Sequence, residues 1–290
     1  MIENYLIHIL ILIGIYIILA VSLNIALGYT GLLNLGHIAF FGIGAYTSAI
    51  LTREGIPFIL ALIISCIIAG CFGFLLVWIT KRLKGDYLAL ATLGFSFLIY
   101  SLMLNLSSIT NGPLGISGIS RPNIFGYFLK SNFEFLLFVI FIAIISCMIM
   151  YAIIKSPFGR LLHATRDDEL GLRVLGKNTI KIKYKAMIIS SLFAGLAGSL
   201  FAHYNGYIDP TSFMLNSIIF IFTIVIVGGI ASFKGSIIAT FILFIIPELL
   251  RFFAIPSHVL GPTRQIIYAL ILIGILLFKP KGLFGRIDLE

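Results

Sequence analysis

Two stretches of the sequence hold residue types at spacings that can do chemistry. Gly171, Gly176 and Lys177 reproduce the G-x-x-x-x-G-K spacing with which a loop wraps its backbone N–H groups around a phosphate. Asn178 stands where a Ser or Thr hydroxyl must reach magnesium, and no buried parallel strand leads into the loop. Nucleotide binding by this chain is therefore set aside, and any ATP-driven step belongs to another subunit. The second stretch holds Asn34 and His37, three residues apart and so on one helical face. Polar groups deep in an apolar chain face either protein or a wet cavity. The pair either borders a substrate path or bonds neighbouring helices. His37 has no carboxylate or second histidine close by in sequence, which leaves a metal site or proton relay unsupported, and no metal ligands are assigned. No H-E-x-x-H, no G-x-S-x-G and no pair of intramembrane aspartates appears, so no catalytic residue is assigned either. Cys66, Cys71 and Cys147 lie inside apolar runs, with neither metal-ligand spacing nor an even-numbered disulfide framework.

The elements that must position these residues are set by composition. Of 290 residues, 60% are hydrophobic and 11% charged, and the mean hydropathy is +1.13. A soluble domain carries roughly 25% charged residues, so this chain could not cover a globule with a wetted surface. A soluble enzyme, a disordered chain and a collagen-like fibre are excluded. The expected fold is an all-α integral membrane protein, one polytopic domain over 1–290. About nine (8–10) transmembrane helices are read at 5–27, 32–52, 57–79, 86–106, 133–154, 186–205, 215–230, 237–255 and 264–278. The first is taken as a retained span, because no basic stretch precedes it.

Fifteen of the 20 basic residues gather at Lys81–Lys84, Lys155–Lys185, Lys234 and Lys279–Arg286. Basic loops stay on the cytoplasmic side during insertion, which puts the N-terminus out and the C-terminus in. The net charge of +9 is thus topological, and no nucleic-acid partner is expected. An external loop at 107–132, rich in glycine around Asn111-Gly112-Pro113, should be folded. Ala194-Gly-Leu-Ala-Gly198 forms a small-residue face for close helix packing. Gly228-Gly229 and Gly235 suit a tight turn. Glu248 and Arg251, i and i+3, read as a structural salt bridge ahead of a gating or binding-protein contact, and Asp86 as a cap for the fourth span.

The cytoplasmic loop at 155–185 is the most informative segment. Asp167 can N-cap a helix of about two turns, with Asp168 and Glu169 in its first turn and Gly176 ending it. Leu170, Val174 and Leu175 share one arc, with Gly171 as a bare spot between them. Two turns are unstable alone, so this helix lies either on its own bundle or in a groove of a cytoplasmic partner.

Gly28-Tyr-Thr-Gly-Leu-Leu-Asn-Leu-Gly-His-Ile-Ala-Phe-Phe-Gly-Ile-Gly-Ala-Tyr46 closely resembles the early signature of the branched-chain amino-acid ABC transporter permeases, of the LivM type rather than the LivH type. Gly85-Asp-Tyr-Leu-Ala-Leu-Ala-Thr-Leu-Gly-Phe95, Thr110-Asn-Gly-Pro-Leu-Gly-Ile116, Ser156-Pro-Phe-Gly-Arg160 through Leu175-Gly176, Val227-Gly-Gly-Ile-Ala-Ser-Phe-Lys-Gly235 and Lys279-Pro-Lys-Gly-Leu-Phe-Gly285 resemble further family segments in order. The resemblance implies a permease subunit importing leucine, isoleucine or valine, with no cofactor and no enzymatic activity of its own. The implied partners are a second homologous permease forming a heterodimer, two cytoplasmic ABC ATPases, an extracytoplasmic substrate-binding protein and the bilayer of the bacterial cytoplasmic (inner) membrane. Asp167–Leu175 would be the coupling helix, with Arg166, Asp167, Asp168, Glu169, Gly171, Leu175 and Gly176 as ATPase-coupling residues. Asn34, Gly36, His37 and Thr92 are the translocation-path candidates. Similar permeases serve urea or short amides, and a stand-alone secondary carrier is the remaining alternative, disfavoured by the sparse ionisable residues in the spans.

Overall fold

In the computed structural model, residues 2–124, 127–249, 257–279 and 281–285 are described. Helix dominates, because long runs of Ile, Leu and Phe leave the backbone as the main polar group and a helix bonds it internally. The chain runs α1 (Ile2–Leu27), α2 (His37–Arg53), α3 (Phe58–Thr80), α4 (Gly85–Asn105) and the single turn α5 (Ser107–Thr110). It continues through α6 (Asn132–Lys155), α7 (Pro157–Asp167), α8 (Glu169–Val174), α9 (Thr179–Asn205), α10 (Leu215–Gly228), α11 (Phe233–Leu249) and α12 (Ser257–Phe278). Among the described residues six helices are long and apolar enough to cross a membrane: α1, α3, α4, α6, α9 and the stretch Pro210–Gly228 that ends in α10. The apolar helices α2, α11 and α12 complete the bundle.

The bundle is built around α9, which packs on α2, α3 and α1. Burial follows that plan: 67% of the apolar stretch is buried in both α1 and α9, against 28% in α4 and 22% in α6. The outer faces of α4 and α6 present Leu90, Phe141 and Met148, all 60% exposed or more, a surface suited to lipid or a second subunit. Glycine makes the central crossing possible. A Cβ on Gly44 would strike the backbone of Gly195, and one on Gly198 would strike the carbonyl of Phe41. The small-residue face Ala194–Gly198 thus seats α9 directly against α2.

The loops at one end of the bundle are knitted together by contacts among 28–36, 80–85, 156–178, 229–233 and 281–285. Leu283 and Phe284 N–H donate to the carbonyls of Val227 and Gly228 at 2.9 and 3.1 Å. Gly229, at φ +106°, makes the turn out of α10 where the backbone of Gly285 leaves no room for a side chain. At the other end, 107–131 folds as α5, a 3₁₀ turn over Gly112–Leu114 and three short strands, β1 (Ile116–Ser117), β2 (Asn123–Ile124) and β3 (Tyr127–Phe128). β1 pairs antiparallel with β4 (Tyr207–Ile208), Ile116 opposite Ile208, which ties this loop to the end of α9.

Several sequence readings shift. The second span was read from 32, but residues 32–36 are non-helical and α2 starts at His37. The loop expected to hold one short helix holds two, α7 and α8. Asp86 sits in the first turn of α4 without bonding a backbone N–H there, since Lys84 occupies the cap position. Glu248 pairs with Arg264 across α11 and α12 at 2.8 Å. Arg251, its expected partner, lies outside the described residues, as do Gly126 and Arg286.

Candidate functional site

The 155–178 loop begins at Ser156, whose hydroxyl accepts from Gly159 N–H at 3.3 Å while Pro157 takes the first helical position. That Ser-Pro start is a readable helix signal, and it explains α7. The chain then bends at Asp168, in extended conformation (φ −151°, ψ 90°). Asp168, and not Asp167, is the N-cap of α8. Its carboxylate accepts from Gly171 N–H at 2.9 Å. Asp167 instead ends α7 and pairs with Arg166. Gly171 is not an open spot for a partner, because a Cβ there would run into the Asp168 carboxylate. Gly176, at φ +76°, ends the helix, with its N–H donating to Arg173 O at 2.9 Å and Lys177 N–H to Leu172 O at 3.2 Å.

Glu169 anchors α8 to the bundle. Its carboxylate meets Arg173 at 2.6 Å, Lys183 at 2.9 Å, Thr179 Oγ at 3.0 Å and Lys84 at 3.7 Å. Burial alone would raise its pKa, but the bonds from Lys183, Thr179 and Arg173 outweigh that and hold it down at about 2. Leu172 turns inward and is buried, whereas Leu170, Val174 and Leu175 are 66%, 88% and 75% exposed. A six-residue helix held by ions on one side thus offers an uncovered apolar ridge on the other. Arg166 reaches away from this ridge: its guanidinium donates to the carbonyl of Gly28 at 2.7 Å while binding Asp167 at 2.6 and 2.8 Å. The loop is thereby fastened to the segment that joins α1 and α2.

That segment holds Asn34, Gly36, His37 and Thr92 together. Thr92, on α4, serves the non-helical backbone of 33–35. Its hydroxyl accepts from Leu35 N–H at 3.0 Å and donates to Ala89 O at 2.9 Å, with Leu33 O also within 3.2 Å. Irregular backbone packed among helices needs such partners. Gly36 caps α2 at a place where a Cβ would press on Thr92 O at 2.7 Å. His37 Nε2 lies 3.0 Å from Ser22 Oγ and 3.2 Å from Leu19 O, and the Ser22 hydroxyl also lies 2.8 Å from Leu19 O, so the imidazole is tied to α1. Asn34 donates to Met187 Sδ at 3.3 Å. Asn34 Oδ1 and His37 Nδ1 remain buried without a hydrogen-bond partner among the described residues. Asn34, His37 and Thr92 are 0% exposed, so in this conformation they face protein.

Among the described residues no group of His, Cys, Asp or Glu is placed to hold a metal ion. The arrangement is mechanical: a tethered helix with a bare ridge on one face of a bundle of apolar spans. Comparison with known proteins decides what kind of bundle it is, since a family model described as the branched-chain amino acid transport system / permease component matches residues 5–278. The chain belongs to that permease family. It is 36% identical to the high-affinity branched-chain amino acid transport system permease protein LivM of Escherichia coli (strain K12), over 93% of this chain and 67% of the relative. Identity is 25% to the BraD permease of Pseudomonas aeruginosa, over 95% of this chain and 93% of the relative, and 25% to the LivH permease of Salmonella typhimurium, over 95% and 92%. No solved structure matches. This permease is accordingly a multi-pass membrane protein and a transport subunit, not an enzyme.

Proposed function

We propose that this chain is the LivM-type permease subunit of an ATP-driven importer of leucine, isoleucine and valine. A second, homologous permease forms the heterodimer, two cytoplasmic ATPases drive it, and an extracytoplasmic binding protein delivers the substrate. All nine apolar helices cross the bacterial inner membrane as one domain, with the N-terminus outside and the C-terminus inside. The clustering of Lys81, Arg82, Lys84, the 155–185 loop, Lys234, Lys279 and Lys281 supports that orientation.

The observation that carries this reading is the uncovered ridge Leu170, Val174 and Leu175 on a helix whose opposite side is fixed by Glu169. A small apolar ridge on a rigid support fits a groove in a partner, and here the partner is an ATPase. ATPase closure would push α8, and Arg166 would carry the movement to Gly28 and so to the α1–α2 junction. Asn34, Gly36, His37 and Thr92 would then border the path only in the conformation that this movement produces.

Purification of the tagged chain from native membranes in mild detergent tests the assembly. The reading expects two nucleotide-binding subunits and a second polytopic protein to co-purify. A well-folded chain recovered alone would overturn it in favour of a secondary carrier.

A further inference from the structure

At the end of the bundle opposite α8, the start of α1, the ends of α9 and α11, α10 and the start of α12 enclose an open cavity of about 520 Å³. That is within the range of sites that hold small molecules. Its walls are aromatic. Tyr16 stands edge-on to Phe220 at 5.5 Å and to Phe244 at 5.1 Å, and Phe220 meets Tyr268 at 4.6 Å between ring centroids. One ion pair lines the cavity, Glu248 with Arg264. The pair is incompletely used. A single bond joins Arg264 Nη2 to Glu248 Oε1, and the buried Glu248 Oε2 and Arg264 Nε have no partner among the described residues. Arginine–carboxylate pairs frequently close two-pronged, and this one does not. An acceptor on the acid and a donor on the base are thus left unbonded in residues that line the cavity.

We propose that this cavity is an α-amino-acid subsite on the permease itself. The ammonium of the ligand donates to Glu248 Oε2, its carboxylate accepts from Arg264 Nε–H, and its aliphatic side chain lies against Tyr16, Phe220, Phe244 and Tyr268. Satisfying a buried donor and acceptor at once removes the penalty of leaving both unmade. A cation or an anion would satisfy one group and leave the other, whereas a zwitterion matches a pair of zero net charge. Urea matches the polar pair but has no apolar body for the rings. The inference rests on the amino-acid reading above and deepens it: a substrate released at this face would meet a waiting site before crossing.

The test uses the purified permease–ATPase complex without its binding protein. Radiolabelled leucine is expected to bind, and Glu248→Gln and Arg264→Gln each to weaken that binding tenfold or more while the subunits stay assembled. Unchanged binding in both variants overturns the subsite. Should a variant fail to assemble, competition on the wild-type complex decides. Isoamylamine (leucine without its carboxylate) and 4-methylpentanoate (leucine without its ammonium) are expected not to displace leucine at a hundredfold excess. Displacement by either as effective as by leucine itself overturns the zwitterion match. Uptake of leucine by the complete transporter in proteoliposomes is measured alongside. Uptake without binding at this site sinks the subsite alone, and absence of leucine uptake sinks the amino-acid reading on which it rests.

Discussion

The guanidinium of Arg166 donates to the backbone carbonyl of Gly28 at 2.7 Å, across 138 residues of sequence. The bond spans the loop that carries α8 and the junction between α1 and α2, and a Cβ on Gly31 would sit 3.0 Å from the same arginine side chain. Arg166→Ala is expected to leave ATP hydrolysis by the assembled complex intact while uptake falls at least tenfold. Arg166→Lys, which keeps the charge but cannot hold Gly28 and Asp167 with one planar fork, should fall between. Parallel ATPase and uptake assays on reconstituted complex check this, and uptake at wild-type rates in Arg166→Ala would remove the arginine from the coupling path.

Val174→Asp places a charge in the middle of the exposed ridge of α8, where Val174 itself is 88% exposed and makes no core packing. Membrane insertion and thermal stability of the chain should be unchanged, and co-purification of ATPases should be lost. Retention of the ATPases at normal yield would show that the ridge is not their seat.

Glu169 has a pKa of about 2 against an ordinary 4.5, set by Lys183, Thr179 and Arg173 against the cost of burial. A depressed carboxylate contributes stability above its unfolded pKa, and that contribution is lost as pH falls through the folded value. The anchor of α8 is therefore expected to hold through pH 4.5 and to release only toward pH 2. Glu169→Gln should loosen it throughout the range above pH 4.5, at a cost of about 1.5–3 kcal/mol for bonds to charged partners, and the difference from wild type should vanish toward pH 2 as Glu169 itself becomes neutral. Limited proteolysis of the 155–178 loop as a function of pH reads both, and release of the wild-type loop already near pH 5 would contradict the cluster.

Thr92→Val is expected to destabilise the permease by about 1 kcal/mol, because the part-buried Leu35 N–H loses its acceptor. Thr92→Ser should stay near wild type. Thermal unfolding in detergent separates this from a path role: equal melting of all three proteins, with transport lost in the Val variant alone, would make Thr92 a path residue and not a brace.

The apolar helices were legible because hydropathy marks a span by the same physics that inserts it. Gly176 as the end of α8 and the close packing of Ala194–Gly198 were legible for similarly local reasons. The cap of α8 was misplaced by one residue because Asp167 and Asp168 are chemically identical, and only the extended backbone at Asp168 separates them. Residues 32–36 look like part of a span in composition, and the hydroxyl that bonds their non-helical backbone, Thr92, lies 57 residues away in sequence. The partnership of Glu248 with Arg264 was equally out of reach. A spacing of i, i+3 suggested Arg251, which lies outside the described residues, while Arg264 arrives on another helix.

The most direct test of the account is leucine uptake into proteoliposomes holding this chain, its partner permease and the ATPases, with ATP inside and loaded binding protein outside. The account predicts uptake that requires ATP and the binding protein and that stops with Val174→Asp in α8. Uptake by this chain alone, driven by an ion gradient without ATP, would contradict it.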